Sequence, residues 1–352
     1  MGALMRRPTI MDIARAAGVS KGAVSYALNG RPGVSEETRE RILGIARDLG
    51  WAPSKAARAL SPGGRVGAVG LVVDRPARSL GVEPFFMQLV SGIETELASS
   101  GVDLLLQVTD DAGAELEVYR RWASERRVDG VVMVDLRVDD LRPEAVRSLG
   151  LPAVFLGGPD GVGGLPCLYT DDGAPVREVV HYLAALGHRR VARIAGPEEF
   201  VHTRVRGAAF HEAATEAGLT GAYSVHADYT GEGGTRITRR LLASAHRPTA
   251  LVYDNDLMAV AGLGVAAEMG VDVPAQLSIV AWDDSALCRL VRPSLTAISR
   301  DVAGHGRQVA RMLGRVLDGD RVESEETPTG ELHPRGSTGP LVGHPENAVT
   351  SG

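Results

Sequence analysis

The chain is poor in the features that mark an exported, membrane-bound or nucleotide-hydrolysing protein. It holds two cysteines, Cys167 and Cys288, in apolar or mixed surroundings and without metal-ligand spacing. A disulfide framework and a zinc motif therefore have nothing to build on, and both thiols are expected to be reduced packing residues. No apolar run approaches the roughly 20 residues needed to cross a bilayer. Met1 to Arg7 carries charge, but no apolar stretch follows it, so neither a membrane nor a secretory route is expected and the place of action is expected to be cytoplasmic. No Gly-Lys pair occurs anywhere, which excludes an ordinary phosphate-binding P-loop. From Leu341 to Gly352 there are Gly, Pro and polar residues without a leucine heptad. A disordered tail is expected there rather than a tetramerising coiled coil.

What is present is length, apolar content and an uneven charge. With 352 residues, 44% of them hydrophobic, the chain can bury more than one core, and two or three domains are expected. The net charge of -6 argues at first against a polyanionic partner. Residues 1–62 alone, however, hold ten Arg or Lys against five Asp or Glu, a charge of +5, which leaves -11 on the remainder. A basic head on an acidic body is the asymmetry of a chain that docks only its head on phosphates.

The head has a pattern of its own. Thr9 can cap a helix whose third position, Asp12, reaches back to the cap, while Ile10, Ile13, Ala14 and Ala17 fall on one helical face. Gly18 should stop that helix. Ser20 is a second N-cap, and Ala23, Val24, Ala27 and Leu28 form the apolar stripe of a second short helix ending near Asn29 and Gly30. Two short helices joined by a glycine-containing turn make a helix-turn-helix, with Lys21, Gly22, Ser25 and Tyr26 pointing outward, where they can reach base edges. A third helix capped at Ser35, with Ile42, Ile45 and Leu49 inward and Gly50 as its stop, closes a miniature core over residues 8–50. Next comes a short helical patch, Lys55 to Leu60, fenced by Pro53 and Pro62. So short a helix is marginal in water and needs a partner to order it.

The run Ile13-Ala14, Ala17-Gly18-Val19-Ser20, Val24-Ser25, Leu28-Asn29, Val34-Ser35, Thr38-Arg39 and Ala57-Arg58-Ala59-Leu60 closely resembles the headpiece and hinge of the lactose/galactose repressor (LacI/GalR) family. The likeness continues to about residue 340. It implies a small all-α helix-turn-helix headpiece at 8–52, a hinge helix at 53–63, and an α/β two-lobed periplasmic-binding-protein-like core with parallel sheets at 64–340, ahead of the tail at 341–352. It further implies a homodimeric, sequence-specific transcriptional regulator, a repressor, on a pseudo-palindromic double-stranded DNA operator, controlled by a small-molecule effector, a sugar, and needing no cofactor. The implied DNA contacts are Thr9, Ser20, Lys21, Gly22, Ser25, Tyr26 and Asn29, with Arg58 and Leu60 of the hinge. The paired hinge leucines of the family wedge into the minor groove, and Leu60 matches that position. Tyr26 stands where the family often has arginine, which points to an altered base preference, because a phenol cannot make the bidentate contact to guanine.

After Arg65 short apolar runs alternate with amphipathic helical stretches. Strands are expected at Val66 to Val73, Val102 to Val108, Val128 to Val134, Ala153 to Leu156 and Cys167 to Thr170. The alternation then repeats with strands Val191 to Ala195, Ser224 to Ala227, Ala250 to Tyr253 and Leu277 to Trp282 and helices from Thr203, Gly233 and Asp256. This is the pattern of parallel sheets covered by helices on both faces. By resemblance the chain crosses between lobes near Asp171, Ser299 and Glu331. The first lobe then takes about 64–170 and 300–330, with helix Val302 to Leu317 returning to it, and the second takes about 171–299 and 331–340.

Asp135, Asp171, Asp254 and Asp283 each follow an expected strand, at the carboxyl ends where open α/β sheets bind ligands. Carboxylates there can accept hydrogen bonds from a polyol, with aromatic side chains as a stacking face. Each is equally placed to cap the next helix, and at Asn255-Asp256 the cap is the stronger reading. The family resemblance adds Arg206, where relatives hold the effector, Arg204 in the same helix start, Asp283 in the aromatic-Asp-Asp segment, and Phe85, Phe86 and Tyr229 as aromatic contacts. Ala209 departs from the family's glycine and leaves the effector geometry open. His188 has no partner at ligand spacing and reads as structural.

Enzymatic readings have little to stand on. Gly18-Val19-Ser20-Lys21-Gly22 spells Gly-x-Ser-x-Gly, but it joins two helices where a hydrolase elbow joins a strand to a helix. The glycines of Gly262 to Ala267 lie within an expected helix rather than after a strand. The competing classes are a solute-binding protein that uses only the two-lobed core and a sugar-modifying enzyme. The headpiece weighs against the first, and the want of a nucleophile or metal set weighs against the second.

Overall fold

The computed structural model describes residues 8–28, 30–51, 64–75, 80–109 and 111–341. The expectations for Asn29, for the hinge with Arg58 and Leu60, and for the tail beyond Leu341 lie outside the described residues. The chain divides into two units, residues 1–66 and 67–352.

The first unit is three helices. Helix α1 (Ile10–Ala17) starts in a capping box: the Asp12 amide donates to Thr9 Oγ1 at 3.4 Å, and the Thr9 amide donates to the Asp12 carboxylate at 2.8 Å. Gly18 ends it at φ +66°, a left-handed geometry that costs glycine little. Helix α2 (Lys21–Leu28) begins after Ser20, whose Oγ accepts from the Ala23 amide at 3.1 Å. Helix α3 (Glu36–Asp48) is capped by Ser35. Ile13, Ala14, Ala17, Val24, Ala27, Ile42 and Ala46 form the core. Alanine at four of these seven positions lets the helices approach closely. Arg39 ties α3 to the end of α2, donating to the carbonyls of Ala27 and Arg31 at 3.2 and 3.0 Å.

The second unit alternates strand and helix through β1 (Ala68–Asp74), α4 (Pro84–Ser100), β2 (Asp103–Thr109), α5 (Ala112–Ser124), β3 (Gly130–Met133), α6 (Arg142–Ser148), β4 (Ala153–Leu156) and β5 (Cys167–Tyr169). It continues with α7 (Gly173–Ala185), β6 (Arg190–Ala195), α8 (Val201–Glu216), β7 (Gly221–His226), α9 (Gly231–Leu242), β8 (Ala250–Tyr253), α10 (Asp256–Glu268), β9 (Ser278–Asp283), α11 (Ala286–Leu290) and β10 (Thr296–Ser299). Helix α12 (Val302–Leu317) and the short strands β11 (Glu325–Glu326) and β12 (Glu331–His333) complete it.

Two six-stranded sheets result, in the orders β11-β5-β4-β3-β1-β2 and β12-β10-β9-β8-β6-β7. Each defines a lobe. All pairings are parallel except β12 with β10, so both faces of each sheet need helical cover, and buried apolar clusters lie on both faces. The chain passes between the lobes after β5, after β10 and between β11 and β12. Helix α12 returns to the first lobe and packs on α4, where Gly92 and Gly306 allow the contact: a Cβ on Gly92 would sit 2.0 Å from the Ala303 carbonyl oxygen, and one on Gly306 2.3 Å from that of Leu89.

Differences from the sequence reading are local. Strand β1 starts at Ala68 rather than Val66. Strand β7 starts at Gly221 rather than Ser224, because an edge strand with half-exposed faces carries little apolar signal. Helix α8 begins two residues ahead of Thr203, since Val201 and His202 enter the helix behind Phe200. The short helices α6 and α11 have too few turns to show a period. His188 is buried, within hydrogen-bond distance of Thr249 Oγ1 and Ser278 Oγ at 3.0 and 2.9 Å, a packing role.

Candidate functional site

On the first unit, Lys21, Gly22 and Tyr26 are exposed on α2 and Ser25 is half-buried beside them. Lys21 and Gly22 open the helix, so one short surface joins a cation, a helix N-terminus and a phenol. That combination suits phosphate contact with base readout. Thr9 and Ser20 are committed in part to capping, with the Thr9 hydroxyl donating to Asp12 at 2.7 Å. Tyr26 is 45% exposed, and one edge of its ring faces Gly33, where a Cβ would come within 2.9 Å.

On the second unit, a cavity of about 340 Å³ lies between the lobes. Its place follows from topology. In each sheet the strand order reverses between the first and third strands of the lobe, and the loops leaving them diverge into a crevice. Arg75 follows β1 and Asp135 follows β3; Asp254 follows β8 and Asp283 ends β9. Asp135, Tyr229 and Asp283, all on the cavity wall, hold φ of +52°, +62° and +77°. They are three of the six non-glycine residues with positive φ among the described residues. Strained backbone of this kind gathers where side chains must be aimed at a site.

The wall is a ring of arginines, acids and aromatics. Arg206, 4% exposed, lies over Trp282 with its guanidinium carbon 4.0 Å from the ring centroid, and donates to Asp172 at 3.1 Å. Arg300 pairs closely with Asp283 and lies 3.5 Å from Asp172. Burial works against the Asp172 carboxylate, but Arg206 and Arg300 hold its pKa below the ordinary range. Burial likewise opposes the charge on Arg206, and Asp172 and Asp254 more than offset it. Glu83 is the exception. Burial pushes its carboxyl up to about 7 despite Arg75. His202 and His305 are pushed down to about 4, chiefly by burial and then by Arg206 and Arg300 respectively, so both imidazoles are neutral at pH 7. His202 Nε2 lies 2.8 Å from the Tyr229 hydroxyl. Arg206 Nε and Glu83 Oε2, on two residues that line the cavity, are buried without a hydrogen-bond partner. A donor and an acceptor thus stand unsatisfied beside the same space.

Of the sequence candidates, Phe85, Asp135, Asp171, Arg206, Tyr229, Asp254 and Asp283 line this cavity. Two do not. Phe86 is fully buried in the first-lobe core, because adjacent residues on a helix point in different directions and Phe85 takes the cavity side. Arg204 is exposed and donates to the Glu198 carbonyl, two helix positions away from the face that carries Arg206. Asp171 caps α7, accepting from Gly173 and Ala174, and pairs with Arg177. Asp254 is bound by Arg193, which donates to it at 2.8 Å through Nε. Asn255 caps α10, accepting from Met258 at 2.9 Å.

Arg75, Glu83, Asp172, His202, Arg300 and His305 also line the cavity and escaped the sequence reading. Asp172 is the second of the Asp171-Asp172 pair, and Arg300 follows the expected crossing at Ser299, so both carried a usable signal. Arg75 and Glu83 flank a stretch whose spacing departs from any regular period.

Residues 9–54 match the profile of bacterial regulatory proteins of the lacI family, and residues 180–338 match that of the periplasmic binding protein-like domain. The HTH-type transcriptional regulator CelR of Thermobifida fusca is 33% identical over 322 residues, covering 90% of this chain and 94% of that one. A solved complex of a transcriptional regulator CelR with cellobiose is 30% identical, with a TM-score of 0.71 over 94% of this chain and 100% of that one. The lac repressor dimer bound to operator and an anti-inducer is 26% identical, with a TM-score of 0.81 over 95% of this chain and 100% of that one. A headpiece with an exposed second helix, a cavity between two parallel-sheet lobes and this likeness over nearly the whole length lead to one conclusion: the chain belongs to the lacI family of bacterial regulatory proteins.

Proposed function

We propose that this chain is a transcriptional repressor that binds a pseudo-palindromic DNA operator as a homodimer, and that an uncharged, hydroxyl-rich ligand in the inter-lobe cavity, a sugar, sets its affinity for that operator. The observation that carries the ligand class is the wall itself. Arg75, Arg206 and Arg300 on it are matched by Asp135, Asp172 and Asp283, so none of the three stands open to an anionic ligand, while buried donors and acceptors without partners remain that hydroxyl groups can satisfy. Cellobiose in the related CelR complex supports this class. The headpiece supplies the operator contacts through Lys21, Ser25 and Tyr26, with Thr9 and Ser20 fixing the helix ends. The cavity binds and does not turn its ligand over, and the protein works in the cytoplasm, beside the DNA.

Selection from a random duplex pool tests the operator reading, followed by titration of the selected duplex at two salt concentrations with and without cellobiose. The expected result is a two-fold symmetric site, an affinity that falls steeply with salt, and a response to a sugar of about 1–3 kcal/mol. Absence of any sequence preference overturns the regulator reading. Chemical conversion of the sugar by the purified chain overturns the binding-only reading.

A further inference from the structure

Arg75 belongs to the first lobe yet meets two aromatic rings of the second. Its guanidinium carbon lies 5.2 Å from the ring centroid of Phe86 in its own lobe, and 5.1 and 5.3 Å from those of Phe200 and Tyr229 across the cleft. The first lobe holds the group from behind: Asp135 Oδ2 is 2.8 Å from it, Glu83 Oε2 is 3.6 Å away, and Arg75 donates to the Asp74 carbonyl at 2.7 Å. The side chain is 7% exposed and its Nε has no hydrogen-bond partner. A buried cation facing three rings is held by the negative faces of those rings. Two of the three leave when the lobes part.

A backbone strap runs beside it. The Val138 amide donates to the Glu199 carbonyl at 2.8 Å, and the Val201 amide donates to that of Leu136 at 2.9 Å, bridging Arg137 to Phe200 across the lobes. The three crossovers leave from the β5/β11 and β10/β12 edges of the sheets, whereas β1 and β6, which lead to Arg75 and Phe200, stand several strands away. The cleft is thus hinged on one side and fastened on the other.

We propose that Arg75 is the positioning residue that fastens the lobes on the side away from the crossovers.

Hydrogen exchange of the full chain, read by mass spectrometry without DNA or sugar, tests it. In Arg75→Met the amides of Val138 and Val201 should exchange about tenfold faster or more, while peptides carrying Val132 and Ile194, in the central strands of the two lobes, keep their wild-type rates. Phe200→Leu removes the other half of the contact and should give the same local acceleration; should Arg75→Met fail to fold, Arg75→Lys and Phe200→Leu carry the test. Unchanged exchange at the strap in a folded variant overturns the proposal, as does acceleration spread equally through both lobes. Neither result bears on whether the chain selects an operator, so the two readings fail separately.

Discussion

Arg206 bridges Asp172, at the crossover between lobes, to the face of Trp282, near the end of β9, and so ties the crossover to the second-lobe sheet with one side chain. Arg206→Ala leaves Asp172 with Arg300 alone. A stability loss of about 1–3 kcal/mol is expected in urea unfolding, together with loss of sugar binding by calorimetry and an unaltered ligand-free affinity for the operator. Arg206→Lys should recover much of the stability but little of the binding, because an ammonium lacks the planar face that covers Trp282. Sugar binding retained by both variants would place the ligand elsewhere.

Arg193 and Asp254 are each 1% exposed at their side chains and bonded through two nitrogens. Arg193→Met strands a buried carboxylate, with an expected loss of about 3–5 kcal/mol. Arg193→Met combined with Asp254→Leu should be more stable than Arg193→Met alone, because the pair's desolvation cost disappears with the pair. A double variant no better than the single one would refute that account.

Glu83 makes a pH prediction. Its folded pKa of about 7 lies above the ordinary 4.5, so between those values the native state binds more protons than the unfolded chain and stability falls as pH rises. His202 and His305, pushed down to about 4, titrate in the opposite sense, so the whole-protein curve mixes both. The difference between wild type and Glu83→Gln isolates the carboxyl. The stability advantage of wild type over the variant should shrink steadily from pH 4.5 to 7 and then level off. A flat difference across that window in thermal unfolding would reject the assignment.

The headpiece gives two separable outcomes. Lys21→Ala should weaken operator binding almost uniformly across sequences and reduce the slope of log affinity against log salt by about 1. Tyr26→Ala should leave the slope unchanged and relax the preference at one base position by about 1–3 kcal/mol. Filter binding over a salt series, with a panel of single-base operator variants, distinguishes them.

The parts of the fold that were legible are those where local chemistry suffices. Thr9 with Asp12, Gly18 and Ser20 wrote the ends of the headpiece helices into short-range contacts. The buried parallel strands announced themselves as unbroken apolar runs. The site was legible only in part. A carboxylate after a strand is visible in sequence, but the arginine that binds it is not: Asp283 meets Arg300 from 17 positions on, and Asp254 meets Arg193 of the neighbouring strand from 61 positions back. Phe85 and Phe86 look equivalent in sequence until the helix is packed and one of them turns inward.

By itself the sequence determined the elements, their alternation and the basic head, because helix caps, side-chain periodicity and charge are properties of near neighbours. Only the tertiary structure decided which charges meet across the cleft. Arg75 reaches Phe200, and Arg300 reaches Asp172, because two separately wound sheets turn the ends of their strands toward one space, and no local pattern encodes that convergence.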